Sequence, residues 1–313
     1  HLLDGFAERT GTFRTYLESG ENIATGITRL YEKISSPVLG GLRLDISKEA
    51  GVSQTHPNRL PDLYRGAALT VAGRYRGQGR ATFTLRGTVN GRDETFTFQA
   101  DLPRQDLDHD FLPALWAARR VGYLLDQIRL HGEERELAEE VKRLARRHGI
   151  ITPYTSYLIV EDEKARRGRG ELAESDMTVT GIPGAPALER GQREEFAAMK
   201  DKSGSGSVRA SVALQRLNEA ATADAARPLP SAIAGGVRTA GGAAFYLNNG
   251  TWVDGRIQEK GRLPEKRVAF ASPAYFSLLR EHPELAQALA LGRSVRLLSR
   301  GRLIEIFDPE AGG

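Results

Sequence analysis

The chain has 313 residues, with 44 Lys and Arg against 40 Asp and Glu, six His and no Cys. A net charge of +4 is not the one-sided basic excess of a dedicated nucleic-acid binder. Without Cys there is no disulfide framework, no thiolate nucleophile and no Cys-ligated zinc. Apolar residues at 40% suffice for sizeable cores, and the length suits roughly two domains of about 150 residues.

Residues 1–20 carry no cationic start followed by an apolar run, so no signal peptide is read there. The apolar runs fall far short of the ~20 residues that cross a bilayer. The chain opens in mid-pattern at His1-Leu2-Leu3-Asp4, which is read as the later part of a longer polypeptide.

Leu2, Leu3 and Phe6 suggest a short helix, and Thr12 to Leu17 alternates like a strand. Ser19 is read as the N-cap of a helix to about Lys33, with Ile23, Ile27, Leu30, Tyr31 and Ile34 at helical spacing until Pro37 intervenes. Strands follow. Leu42, Leu44 and Ile46 alternate with polar residues, Leu69 and Val71 share a face, and Phe83 and Leu85 alternate with Thr and Arg. Asn90-Gly91 marks a hairpin, and Phe96 and Phe98 alternate on the return strand. Short antiparallel strands with turn signals predict part of a β-sandwich.

Two helices come next. The first carries Leu112, Leu115, Trp116, Val121, Leu124, Leu125 and Ile128 on a stripe expected to bury against the sandwich. The second, Glu133 to His148, has Glu133, Glu134 and Glu136 at its start and Arg143, Arg146 and Arg147 at its end, an order that complements the helix dipole. A Glu139–Arg143 pair and Gly149 as cap support it. Ile150 to Val160 reads as a returning strand. Residues 161–236 are rich in Gly, Ala, Arg, Glu, Pro and Ser and read mostly as linker, with helices at about Val208 to Ala221 and Arg193 to Lys200. Residues 237–308 read as a compact unit. It has a hairpin at Asn249-Gly250, a strand at Val268 and Phe270, a Ser272-Pro273 helix start, a second helix from Pro283, and a last hairpin around Arg300-Gly301.

No residue is assigned a catalytic, cofactor-binding or metal-binding role. Asp201-Lys202-Ser203-Gly204-Ser205 fits D-x-S-x-S, yet an amphipathic stretch precedes it where a cation site needs a buried strand. Asp106, Asp108 and Asp110 start like a calcium loop, but Phe111 stands where Gly is required and Ala117 where Glu is required, so helix capping is the better reading. Arg166-Arg167-Gly168-Arg169 lacks interleaved aromatics, and Gly77-Gln78-Gly79 opens no helix. The His residues (1, 56, 109, 131, 148 and 282) are scattered, with His131 and His148 near helix C-termini.

Leu60-Pro61-Asp62-Leu63-Tyr64-Arg65-Gly66, Leu115-Trp116-Ala117, Leu124 to Leu130, Leu144-Ala145 and Ile151-Thr152-Pro153-Tyr154-Thr155-Ser156 together carry a family resemblance. They resemble the segment after the von Willebrand factor type A domain in proteins related to inter-alpha-trypsin inhibitor heavy chains, above all their bacterial members. His1 to Ile34 resembles the last helix–strand–helix of that domain. Val237 to Asp308, with Trp252-Val253-Asp254 and Ser272-Pro273-Ala274-Tyr275-Phe276, resembles the small C-terminal unit of those members. Such proteins carry a VIT domain, the type A domain and a β-sandwich extension. The resemblance implies that a divalent cation such as magnesium belongs to an earlier part of the type A domain. Animal heavy chains join glycosaminoglycan through an Asp before Pro-His. Here Glu310 follows Asp308-Pro309, so that chemistry is not carried over.

The expected fold class is α+β and multidomain. It comprises a type A remnant over 1–36, a β-sandwich with a helical pair over 37–161, a mostly flexible linker over 162–236 and a small α+β unit over 237–308. The implied function is a non-catalytic structural and interaction region of an exported protein, extracellular, periplasmic or at the cell surface. It would support adhesion-type binding of a protein or polysaccharide, with the VIT and type A part as partner in cis and no nucleic acid. One alternative is a hydrolase at the domain junction built from His109, Asp110 and Thr152–Ser156. The other is a cell-wall or polysaccharide binder using exposed Trp252, Tyr246 and Tyr275.

Overall fold

The computed structural model describes residues 5–7, 10, 16–17, 20–34, 37–104, 106, 108–109, 111–150, 152, 154, 204–220, 236–248, 250–257 and 263–310. In chain order the elements are α1 (Ile23–Ile34), β1 (Pro37–Ile46), β2 (Ser53–His56), β3 (Leu63–Tyr64), β4 (Ala72–Arg74), β5 (Gly79–Val89), β6 (Arg92–Leu102), α2 (Leu112–His131), α3 (Arg135–His148) and α4 (Gly204–Asn218). Then follow β7 (Val237–Ala240), β8 (Ala243–Asn248), β9 (Thr251–Asp254), β10 (Glu265–Ala269), α5 (Pro273–Glu281), α6 (Ala286–Leu289), β11 (Val295–Ser299) and β12 (Arg302–Phe307). Helices and sheets are both present, an α+β composition. The chain forms two compact units: His1–Glu133 with Glu195–Ala226, and Glu134–Glu194 with Arg227–Gly313. The two helices read as a pair thus fall in different units.

In the first unit, Asn22 caps α1, its Oδ1 accepting from Ala24 N at 2.9 Å. The expected cap, Ser19, lies outside the described residues. Strands order as β3-β1-β5-β6 in one antiparallel sheet, and β2 pairs with β4 in a separate ladder. Asn90 and Gly91 have φ of 49° and 78°, the two positive values of a type I′ turn, and β5 and β6 pair in unbroken register from Val89–Arg92 to Gly79–Leu102. The stripe on α2 does not bury chiefly on the four-stranded sheet. The helix packs mainly against α4 and also meets the β2–β4 ladder. Leu115, Trp116, Val121, Leu124 and Leu125 are buried there. Helix α4, inside the stretch read mostly as linker, turns Leu214 and Leu217 inward. Small residues let the two helices approach closely: a Cβ on Gly122 would lie 2.5 Å from Asn218 Oδ1.

The second unit holds a six-stranded mixed sheet in the order β10-β12-β11-β9-β8-β7. β10 runs parallel to β12 and β9 parallel to β11, with antiparallel hairpins completing the sheet. Phe245, Trp252, Val268, Val295, Leu297, Ile304 and Ile306 face Tyr275, Leu278, Leu285 and Leu289 in one core. Ser272 caps α5 as its sequence suggests, its Oγ accepting from Tyr275 N at 3.2 Å. On α3, Gly149 takes the left-handed cap conformation at φ 69°. Glu139 pairs with Lys142 at 2.9 Å, not with the expected Arg143. Tyr246 reaches this helix, its hydroxyl donating to Arg146 O at 2.7 Å.

Candidate functional site

The residues singled out as possible chemistry are mostly tied into local structure. Asp106 Oδ2 bonds His109 Nδ1 at 2.8 Å, and its Oδ1 accepts from Asp108 N at 2.9 Å. These contacts hold the Asp106 carboxyl below the usual carboxylate range, the His109 bond most strongly. Phe111 is the N-cap of α2 and makes no side-chain cap bond, while Asp110, one of the aspartates expected to cap, lies outside the described residues. Pro113 in the first turn instead removes one orphan donor. Thr152 is buried, its hydroxyl accepting from Tyr154 N. Asp110, Ser156, the basic cluster at Arg166 and Asp201–Ser203 lie outside the described residues. Trp252 and Tyr275 are buried and Tyr246 is half-buried, so none offers the open ring face a sugar binder needs. Among the described residues, no three His, Asp or Glu side chains gather as a cation site.

Two exposed apolar surfaces stand out in the first unit. On α1, Ile23, Ile27 and Tyr31 are 64%, 59% and 68% exposed at successive one-turn spacings. A stripe of this kind is what a helix turns toward a sheet or another helix. On the β5–β6 hairpin, Phe96 and Phe98 are 43% and 58% exposed, in register with Leu85 and Phe83. Alternation correctly places these four side chains on one face of the ladder. It does not say whether that face is covered.

A third feature is a corner rich in arginine and aromatic rings where α2 meets β2 and β4. Trp116 Nε1 donates to Gln54 O at 2.9 Å, and the Arg74 guanidinium lies 5.1 Å from the Trp116 ring centre. One helical turn on, Arg120 lies 5.7 Å from the ring of Tyr123, which stands 5.4 Å from the buried His56 ring. Beside them, Arg119 is only 4% exposed. Its Nε donates to Ala220 O at 2.9 Å, and its Nη1 donates to Thr70 O at 2.5 Å and to His56 O at 3.5 Å. Burial lowers its pKa, and the charge of Glu219 acts the other way. A guanidinium nevertheless stays ionised in a protein. Among the described residues no carboxylate bonds it, and its Nη2 makes no hydrogen bond. Sequence reading missed this residue. The signal was there, in two adjacent cations between Trp116 and Val121 inside an apolar helical stripe.

No family model matches this chain, and no curated protein or solved structure matches it. No helix among the described residues is long and apolar enough to cross a membrane.

Proposed function

We propose that this chain is a non-catalytic structural and interaction region of an exported VIT and von Willebrand factor type A domain protein, related to inter-alpha-trypsin inhibitor heavy chains. In this reading residues 1–36 complete a type A domain in cis, and residues 37–161 form its β-sandwich extension. A cation site, with magnesium or a similar ion, belongs to the earlier part of the type A domain, which binds a protein or polysaccharide ligand outside the cell.

The observation that supports this reading is the stripe of Ile23, Ile27 and Tyr31 on α1. Three large apolar side chains on one helix face lose hydrophobic stabilisation in water, about 1.5–3 kcal/mol each against full burial. A sheet supplied by the rest of a type A domain would cover that face. The hairpin face at Phe96 and Phe98 offers a second contact surface of the same kind.

The test is the coding sequence upstream of His1, followed by hydrogen exchange on the longer chain. The expected result is a VIT domain, a buried strand ending in D-x-S-x-S, and slowed exchange over Ile23–Ile34 when that segment is present. A start codon within a few residues of His1, or exchange in α1 unchanged by the added segment, overturns the proposal.

A further inference from the structure

The outer strand of the four-stranded sheet, β6, is open to a further strand, and we propose that it pairs with β6 of a second copy of this chain, in a two-fold antiparallel dimer centred on Phe98. This goes beyond the proposed function and does not rest on it, because the apolar face of α1 takes no part.

The argument begins with the backbone. A sheet edge presents a row of N–H and C=O groups that another strand can pair. β6 ends the order β3-β1-β5-β6 and runs for 11 residues. The two-residue loop Asn90-Gly91 makes Val89 and Arg92 a hydrogen-bonded pair, and an antiparallel ladder alternates from there. Glu94, Phe96, Phe98 and Ala100 therefore turn their backbone groups toward β5. Asp93, Thr95, Thr97, Gln99 and Asp101 turn theirs outward, where no strand pairs with them among the described residues.

The other sheet edges are guarded against such pairing. β3, the opposite edge of the same sheet, has 2 residues and follows closely on Pro61. In the second unit the β7 edge has 4 residues. The β10 edge opens with Glu265, Lys266 and Arg267, all exposed. Short strands and charged side chains are what keep sheet edges apart. β6 has neither along Thr95-Phe96-Thr97-Phe98-Gln99-Ala100, a run without charge and rich in β-branched and aromatic side chains.

The strand is its own complement. With the two-fold axis at Phe98, this ring faces the copy's Phe98, and Phe96 faces the copy's Ala100. Both are non-hydrogen-bonded pairs, in which side chains stand closest. On the other face Thr97 meets the copy's Gln99 and Thr95 meets the copy's Asp101, in the hydrogen-bonded pairs that the outward groups supply. Within the strand no like charges face each other, and Asp101 already stands 3.8 Å from Arg80. An axis at Thr97 would set Asp93 against Asp101, and an axis at Phe96 would set Phe98 against Glu94. An unrelated peptide would need pockets to select its alternate side chains, whereas here the strand's own sequence makes the selection. Phe96 and Phe98, 43% and 58% exposed, offer about 200 Å² of ring surface per copy. A stable complex buries roughly 800 Å² per partner, so this dimer is weak and reversible. Pairing uses the open edge of both copies, so assembly stops at two.

The test is sedimentation of the full chain from micromolar to near-millimolar concentration, with amide exchange followed residue by residue. The expected result is a concentration-dependent dimer. The amides of Thr95, Thr97 and Gln99 should exchange fast in the dilute chain and slow on concentration, while those of Phe96 and Phe98 stay slow throughout. Phe98→Glu and Phe98→Lys should each weaken the dimer about tenfold or more, because like charges then meet on the axis. An equal mixture of the two should recover pairing, because opposite charges meet. Should these variants melt early, Thr97→Pro must still weaken the dimer, since it removes an outward N–H and leaves the bonds to β5. Ile27→Glu on α1 and Phe276→Glu in the second unit, both at exposed side chains, should dimerise as the parent does. The proposal is overturned if the chain stays monomeric at near-millimolar concentration, or if the outward amides are already protected in the dilute chain. It is equally overturned if the Glu and Lys variants do not recover on mixing, or if either control loses as much as Phe98→Glu.

Discussion

Each unit buries a charge, and they compensate it differently. In the second unit Asp254 caps the end of β9, accepting from Arg256 and from Leu298 N at 3.1 Å, so its lone pairs and its charge are both matched. In the first unit Arg119 joins three separate segments through their carbonyls: Ala220 after α4, His56 at the end of β2 and Thr70 before β4. Its hydrogen bonds go to neutral carbonyls, and the carboxylate whose charge acts on it, Glu219, does so through space and not through a bond. A buried arginine can therefore tie separate segments together through their carbonyls while its counter-charge stands at a distance.

The largest expected effects test the two anchors. Asp254→Asn leaves Arg256 without its counter-charge and should cost about 3–5 kcal/mol in urea unfolding of the second unit. Trp116→Ala should cost about 3–5 kcal/mol, read in the same way on the first unit. An unchanged midpoint would mean that its ring is not core. Arg119→Met should cost less than Asp254→Asn, on the order of 2–3 kcal/mol, because it removes three hydrogen bonds together with a buried charge that no carboxylate bonds directly. A cost above that of Asp254→Asn would break the comparison between the two units. Gly122→Ala should cost about 1–3 kcal/mol by forcing α2 and α4 apart, measurable as faster amide exchange in α4. The smallest effect belongs to Phe98→Thr, which should leave the monomer's stability within about 0.5 kcal/mol, since the ring is already exposed.

Local chemistry was readable from the sequence wherever one or two residues decide a conformation. Asn90-Gly91 announces the long hairpin, Ser272-Pro273 the start of α5, and Gly149 the end of α3. The helix inside 204–218 was anticipated from Val212, Leu214 and Leu217, with its start displaced by a few residues. Long-range partners were not readable. Nothing in the spacing of Leu112 to Ile128 says that α2 packs chiefly on a helix more than 70 residues later. The small residues that permit this contact, Ser207, Ala210 and Ser211, are the ones that make the stretch look like linker. The parallel pairing of β10 with β12 likewise depends on topology, which the alternation within each strand does not encode. Of the arginine corner, only its composition was visible. The convergence of Ala220, His56 and Thr70 on one side chain is a property of the fold.

The bonds that Arg129 makes to Ser207 and Ser211, at 2.6 Å each, have a consequence for how the protein is made. The first unit is assembled from two stretches of chain with one whole stretch of the second unit, Glu134–Glu194, between them in sequence. While the polypeptide emerges from the ribosome, α2 is finished long before α4 exists. At about 5–20 residues per second the delay is several seconds. For that interval the arginines and leucines of α2 face the cytosol or a chaperone. A translational pause or a protease cut between residues 155 and 203 would therefore strike the first unit, although that stretch contributes few of its residues.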